Sequence, residues 1–198
     1  MAYRRAPSRR LAPSTTITRL VGRPLLARSL IVLGMFEAGL GASCGPDPLH
    51  ERDVEALGPE DPAIEPGPLH RRGQPCSVCH GGDGPAKSTF VLSGTVFAVA
   101  DAGDVLPGAT VRYIDWVGAQ GAVVTNCAGN FFLRTEQAAP RWPIWLRLEH
   151  GDKVADMQSA VFREGSCNAC HTATATPKTM GRVYLSEQPF AVLDAGCP

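Results

Sequence analysis

Two copies of one five-residue pattern, Cys76-Ser77-Val78-Cys79-His80 and Cys167-Asn168-Ala169-Cys170-His171, constrain this 198-residue chain more than any other feature. Eighty-seven residues separate Cys79 from Cys167, and 27 follow His171. The stretch between the patterns is long enough to fold as one small domain, and the stretch after the second is not. Composition narrows that domain further. With 44% hydrophobic and 19% charged residues, the chain can bury a core and is not disordered throughout. Its 21 Gly and 17 Pro work against an all-helical bundle.

Each part of the pattern has a chemical use. Two thiols two residues apart are spaced to add to the two vinyl groups of a haem. The His after the second thiol then lies under the porphyrin, where its imidazole can ligate iron. C-x-x-C-H is the attachment pattern for c-type haem. Other uses of paired thiols fit less well. A zinc ribbon separates its Cys pairs by about 15–20 residues, far fewer than here. A thioredoxin-like redox pair wants a βαβ context that neither motif has. Ordinary disulfides leave the two His unexplained. The chain thus resembles a dihaem c-type cytochrome. That resemblance implies two covalently bound haem c groups, with Cys76, Cys79 and His80 holding one iron porphyrin and Cys167, Cys170 and His171 the other. The continuation His80-Gly81-Gly82-Asp83-Gly84 is similar to the opening of a small helical cytochrome c domain, but β-type sequence follows at once, so that likeness stops at the motifs. For the sixth iron ligand, His70 is the candidate at the first site, ten residues before His80. At the second site Met157, His150 and Met180 compete. A solvated His or a core-filling Met is the bland alternative at each position. Trp116, Trp142, Trp145 and Phe131 are candidates to pack on haem, with core packing as the competing use.

Between the motifs the pattern is β. Strands are expected near residues 89–100, 109–115, 122–126, 130–135, 143–149 and 153–157, with a turn at Ala128-Gly129. Short strands with Gly and Pro punctuation predict a small antiparallel β-sandwich over residues 89–165, flanked by loop or short-helix segments carrying the motifs. The run Leu92-Ser93-Gly94-Thr95-Val96, Leu106-Pro107-Gly108-Ala109-Thr110-Val111, Thr125, Gly129-Asn130-Phe131 and Trp145-Leu146-Arg147-Leu148 resembles the carboxypeptidase regulatory-type, transthyretin-like sandwich. The likeness covers about 60 residues, mostly core and turn positions, and implies a fold and an accessory structural or binding role rather than an activity. The domain order is then a signal at 1–43, a linker at 44–75, the first motif at 76–88, the sandwich at 89–165, and the second motif with a tail at 166–198.

Seven Arg and one acid, Glu37, precede Cys44; an apolar run at 29–36 and the small residues Gly41-Ala42-Ser43 lead into it. A basic region, a short apolar core and small residues form a secretory signal. The apolar run is too short to span a membrane, which takes about 20 apolar residues. Ending at a Cys, the segment is similar to a bacterial lipoprotein signal, which implies lipidation of Cys44, export, and residence in the periplasm or at the outer membrane. Residues 45–75 hold seven Pro and four Gly. Such a stretch predicts a semi-extended tether without a fixed fold, reaching up to roughly 100 Å at about 3.1 Å per residue. A brief helix around 51–57 is compatible with it.

The whole chain carries 19 basic and 19 acidic residues. Without the first 43 residues 12 basic and 18 acidic remain, a net of −6. That charge argues against nucleic acid as a partner. It fits basic redox proteins, and it is also ordinary for solubility. Four of the seven Cys are taken by the motifs and one by the signal, which leaves Cys127 and Cys197 as a candidate disulfide in an oxidising compartment. The reading that unites these features is an exported electron carrier, not an enzyme. Its competitors are a sandwich that binds a polymer or protein and holds structural or sensory haems, a zinc- or disulfide-stabilised binding protein, and a dihaem peroxidase with one open iron site.

Overall fold

The computed structural model describes residues 47–101 and 103–197. The signal at 1–43 and Cys44 lie outside the described residues. Among the described residues the protein is mainly β, with two sheets. Strands β1 (Phe90–Val99), β4 (Asn130–Arg134) and β7 (Val183–Ser186) form one, ordered β4-β1-β7. Strands β2 (Thr110–Asp115), β3 (Gln120–Val124), β5 (Ile144–His150) and β6 (Lys153–Asp156) form the other, ordered β3-β2-β5-β6. Among the described residues there are also three short helices: α1 (Pro48–Ala56), α2 (Ser77–His80) and α3 (Cys167–Cys170).

Side-chain alternation explains the four-stranded sheet. In β5, Ile144, Leu146, Leu148 and His150 point inward while Trp145 and Arg147 face out, the period-2 pattern of a half-buried strand. β1 is different, because Leu92 through Ala98 are buried without interruption. It is the central strand of its sheet and is covered on both faces, which a run of Val, Leu and Phe tolerates. Leu92, Val96, Leu106, Val111, Phe131 and Ile144 are all 2% exposed or less and form the centre of the core. Each contributes about 1.5–3 kcal/mol by leaving water. Asp115 closes the β2–β3 turn, its carboxylate accepting from the backbone N–H of Val117, Ala119 and Arg141 at 3.0, 2.8 and 2.9 Å.

Two departures from the sequence reading concern the flanks. Strands were expected only within 89–165 and only antiparallel, yet β7 lies in the C-terminal segment and pairs parallel with β1, Val96 opposite Val183 and Val99 opposite Ser186. Its four residues pair with a strand far away in sequence, so no local pattern announces it. The linker is the second departure. Residues 48–56 form α1, and the chain after it is docked rather than extended. Pro-rich chain has few N–H groups to offer but leaves its carbonyls free. Asn126 donates to the Pro68 carbonyl at 2.7 Å and Asn130 to the His70 carbonyl at 2.8 Å. Gly73 N–H donates to the Thr95 hydroxyl at 2.8 Å.

The tail is also fastened. Cys127 and Cys197 are joined by a disulfide, and the Leu193 N–H donates to Nε2 of buried His150 at 3.0 Å.

Candidate functional site

The first motif forms one turn. Cys76 stands at the N-cap of α2, and its carbonyl accepts the His80 N–H at 2.8 Å. His80 Nδ1 lies 2.8 Å from the Ser88 carbonyl oxygen. A carbonyl only accepts, so this contact assigns the ring hydrogen to Nδ1 and leaves Nε2 a free lone pair. The ring is stacked on Phe90 at 4.0 Å between centroids and 8° between planes, and Phe90 on Phe132 at 4.9 Å. Thus His80 is held by one hydrogen bond and one aromatic face. A cavity of about 580 Å³ opens beside it, lined by Cys76, Cys79, His80, His70, Phe131 and Phe132 among others. That volume lies in the range of about 300–1,000 Å³ found for cofactor and ligand sites.

His70 reaches this cavity because of its neighbours. Arg71 adopts a left-handed conformation with φ +49°, which costs a non-glycine residue about 1–3 kcal/mol. Its guanidinium compensates by donating to Glu60, the Gly58 carbonyl and the Gln74 side chain at 3.0, 3.0 and 2.9 Å. The His70 ring stands 6.1 Å from the His80 ring, tilted by 50°, and its Nδ1 is 3.7 Å from the Glu60 carboxylate.

The second motif repeats the local design. Ser166 caps α3, and the Cys167 carbonyl accepts the His171 N–H at 2.8 Å. His171 Nδ1 lies 2.9 Å from the Gly181 carbonyl, so here too Nε2 is left free. A cavity of about 550 Å³ is lined by Cys167, Cys170, His171, Met157, Met180 and Phe131 among others. Met157 is half-buried against the core, whereas Met180 is 63% exposed. Of the three residues that competed for this site, His150 is the one placed elsewhere, under the C-terminal tail. His50 lies on α1, with its Nε2 buried and unpartnered.

Two residues of β1, Ser93 and Thr95, hold the segments that carry the motifs. The Ser93 N–H donates to the Gly165 carbonyl at 2.8 Å, and the Thr95 N–H to the Asn168 side-chain oxygen at 2.8 Å. Thr95 also donates through its hydroxyl to Asn130 Oδ1 at 2.6 Å. Asn130 in turn holds the His70 carbonyl, and Asn168 donates to the His171 carbonyl at 3.2 Å. A buried polar chain, Asn130–Thr95–Asn168, therefore links the segment before the first motif to the second motif. Thr95, Asn130 and Asn168 are 1%, 7% and 2% exposed. Sequence reading missed all three. Thr95 and Asn130 entered only as core and turn positions of the sandwich and Asn168 only as a spacer between two Cys, and the one local signal was polarity inside an otherwise apolar strand.

Burial acts on the thiols. It pushes the Cys167 thiol up to about 12, with the nearby Cys76 adding to the effect. It also raises Cys76, against a hydroxyl contact from Ser93 that lowers it. Both thiols are thus held in the neutral form at neutral pH. Among the described residues, no group of three or more His, Cys, Asp or Glu is placed to hold a metal ion, so the four motif thiols do not gather into a tetrahedral set of the zinc type. The Trp residues proposed for haem packing line neither cavity. Trp116 and Trp145 are 67% and 40% exposed and Trp142 packs against the core, while Phe131 lines both cavities.

No family model, curated protein or solved structure matches the chain.

Proposed function

We propose that the protein is an exported dihaem c-type cytochrome that carries electrons. One haem c is attached through Cys76 and Cys79 with His80 as axial ligand, the other through Cys167 and Cys170 with His171. The observation that carries this reading is the repeated geometry. Twice, a C-x-x-C-H turn opens on a cavity of cofactor size, with its imidazole oriented by an Nδ1 contact to a backbone carbonyl and Nε2 free. Metal-ligating His commonly has such an outer partner, which fixes tautomer and ring direction.

Attachment needs no oxidant. Each thiol would add across a vinyl double bond of the haem, its sulfur bonding the carbon next to the porphyrin and its hydrogen the terminal carbon. The bound haem supplies an iron that alternates between ferric and ferrous states. The chain supplies axial nitrogen, aromatic and aliphatic walls, and exclusion of water. His70 would supply the second ligand to an iron held at the first site. Its ring stands 6.1 Å from the His80 ring, and both line the same cavity. At the second site Met157 would supply that ligand, since it lines that cavity from a half-buried position. The partners are redox proteins, recognised by an exported chain of net charge −6 and reached from a lipid anchor at Cys44. The sandwich, transthyretin-like in its core and turn residues, is the frame for the two sites.

A pyridine haemochrome assay on protein matured in a host competent for c-type haem attachment tests the reading. Two covalent haems per chain are expected, and none would overturn it. Both haems reduce and reoxidise with mediators, without the rapid peroxide turnover that an open-site peroxidase would give.

A further inference from the structure

We infer that the two cofactor sites form one electronically coupled pair, with Phe131 as the partition between them. The inference rests on the reading of both motifs as haem sites. Among the described residues, Phe131 is the one that lines both cavities. It is 2% exposed, so it is closed to bulk solvent where it borders the two cavities.

The partition is held on its far side as well. Phe131 pairs with Gly94 in the β1–β4 register. A Cβ added at Gly94 would lie 3.0 Å from Cε1 and Cζ of the Phe131 ring and 3.0 Å from Cβ of Cys167. The ring and the first thiol-bearing residue of the second site are therefore packed against the same bare backbone. The hydrogen bonds through Thr95, Asn130 and Asn168 tie the second motif and the segment before the first to that strand, so the spacing of the two cavities is set by the fold.

An electron leaving a ferrous iron at one site and arriving at a ferric iron at the other balances without a proton or a co-reactant. Its rate falls steeply with distance and is greater through packed atoms than through a void. The charge on one site also acts on the other across a medium of low dielectric. Phe131 is thus a positioning residue. It fills the space where the two cavities meet and would set how closely two bound groups approach each other.

The test is electron paramagnetic resonance on the mature two-haem protein through a redox titration, with flash reduction to follow exchange between sites. The expected result is that the ferric signal of either haem changes in width when its neighbour is reduced. Exchange between sites is then at least threefold slower in F131L than in wild type or in W145F, whose side chain lies on the outer face of the other sheet. Signals that do not change with the neighbour's redox state, in a chain carrying two haems, overturn the coupling and leave the haem reading intact. Wild-type protein without covalent haem overturns both. The titration of the wild type decides even where F131L does not accumulate.

Discussion

The two motif sites share a five-residue pattern and differ in what surrounds it. At the first, aromatic rings predominate: Phe90 stacks on His80 and Phe132 on Phe90, with His70 beyond. At the second, the facing groups are the thioethers of Met157 and Met180. The first cavity is walled partly by the linker, through His70 and Arg71, whereas the second is built from the sandwich and its own C-terminal return. The lesson is that the pattern fixes the local turn and the orientation of one imidazole, while the opposite wall is left to the rest of the fold. For a haem, that wall matters. Methionine opposite histidine raises the reduction potential relative to a second histidine, so the two sites are expected to be a low- and a high-potential member of one pair.

The largest effect that would break this comparison comes from the thiols. C76S/C79S and C167S/C170S should each halve the covalent haem content measured by pyridine haemochrome, from two per chain to one, and should leave different single-site potentials. Next are the facing ligands. H70A should convert only the low-potential site to a form that binds carbon monoxide, and M157L should lower only the high-potential step, both read by spectroelectrochemistry. M180L should be silent, because Met180 is mostly solvated.

Loss of the disulfide is expected to be smaller for the sites and substantial for the fold. The bond spans 70 residues, and closing a loop of that size is worth roughly 4 kcal/mol in the chain-entropy account. C127S/C197S should therefore lower the denaturant midpoint by a corresponding amount. It should disturb the first site more than the second, because Cys127 lies in the turn whose Asn126 and Asn130 hold the linker. The smallest effect is a control that touches neither site. Backbone donation, from Arg141 first, lowers the pKa of Asp115. Its stabilising contribution is therefore complete above the unfolded value of about 3.9 and is lost as pH falls through the lower folded value. D115N should be less stable than wild type at pH 7, with the gap closing in acid on thermal melts and both sites unchanged.

The sandwich was largely legible in the sequence because its strands carry their own evidence. Ile144, Leu146 and Leu148 alternate with outward residues, and Gly129 marks the turn before β4. The motifs were legible because thiol and imidazole chemistry depends on spacing. What was not legible depends on meeting at a distance. β7 owes its existence to an edge of β1 that Ser166 only partly covers. The docked linker owes its path to Asn126 and Asn130, which donate to carbonyls 58 and 60 residues away, and to Thr95, whose hydroxyl accepts the Gly73 N–H. A Pro-rich stretch with no apolar pattern has no local reason to stay in place, so composition alone predicted a tether.

The bond between Cys127 and Cys197 also makes the chain a lasso. Everything from β4 to the tail, including the whole second motif, lies inside one closed covalent ring. A protease that nicks the exposed stretch around Phe162 would release no fragment, only leave two segments still joined at the β3–β4 turn. The damage would be visible on a reducing gel and hidden on a non-reducing one, so a cut molecule would still hold both motifs on one frame.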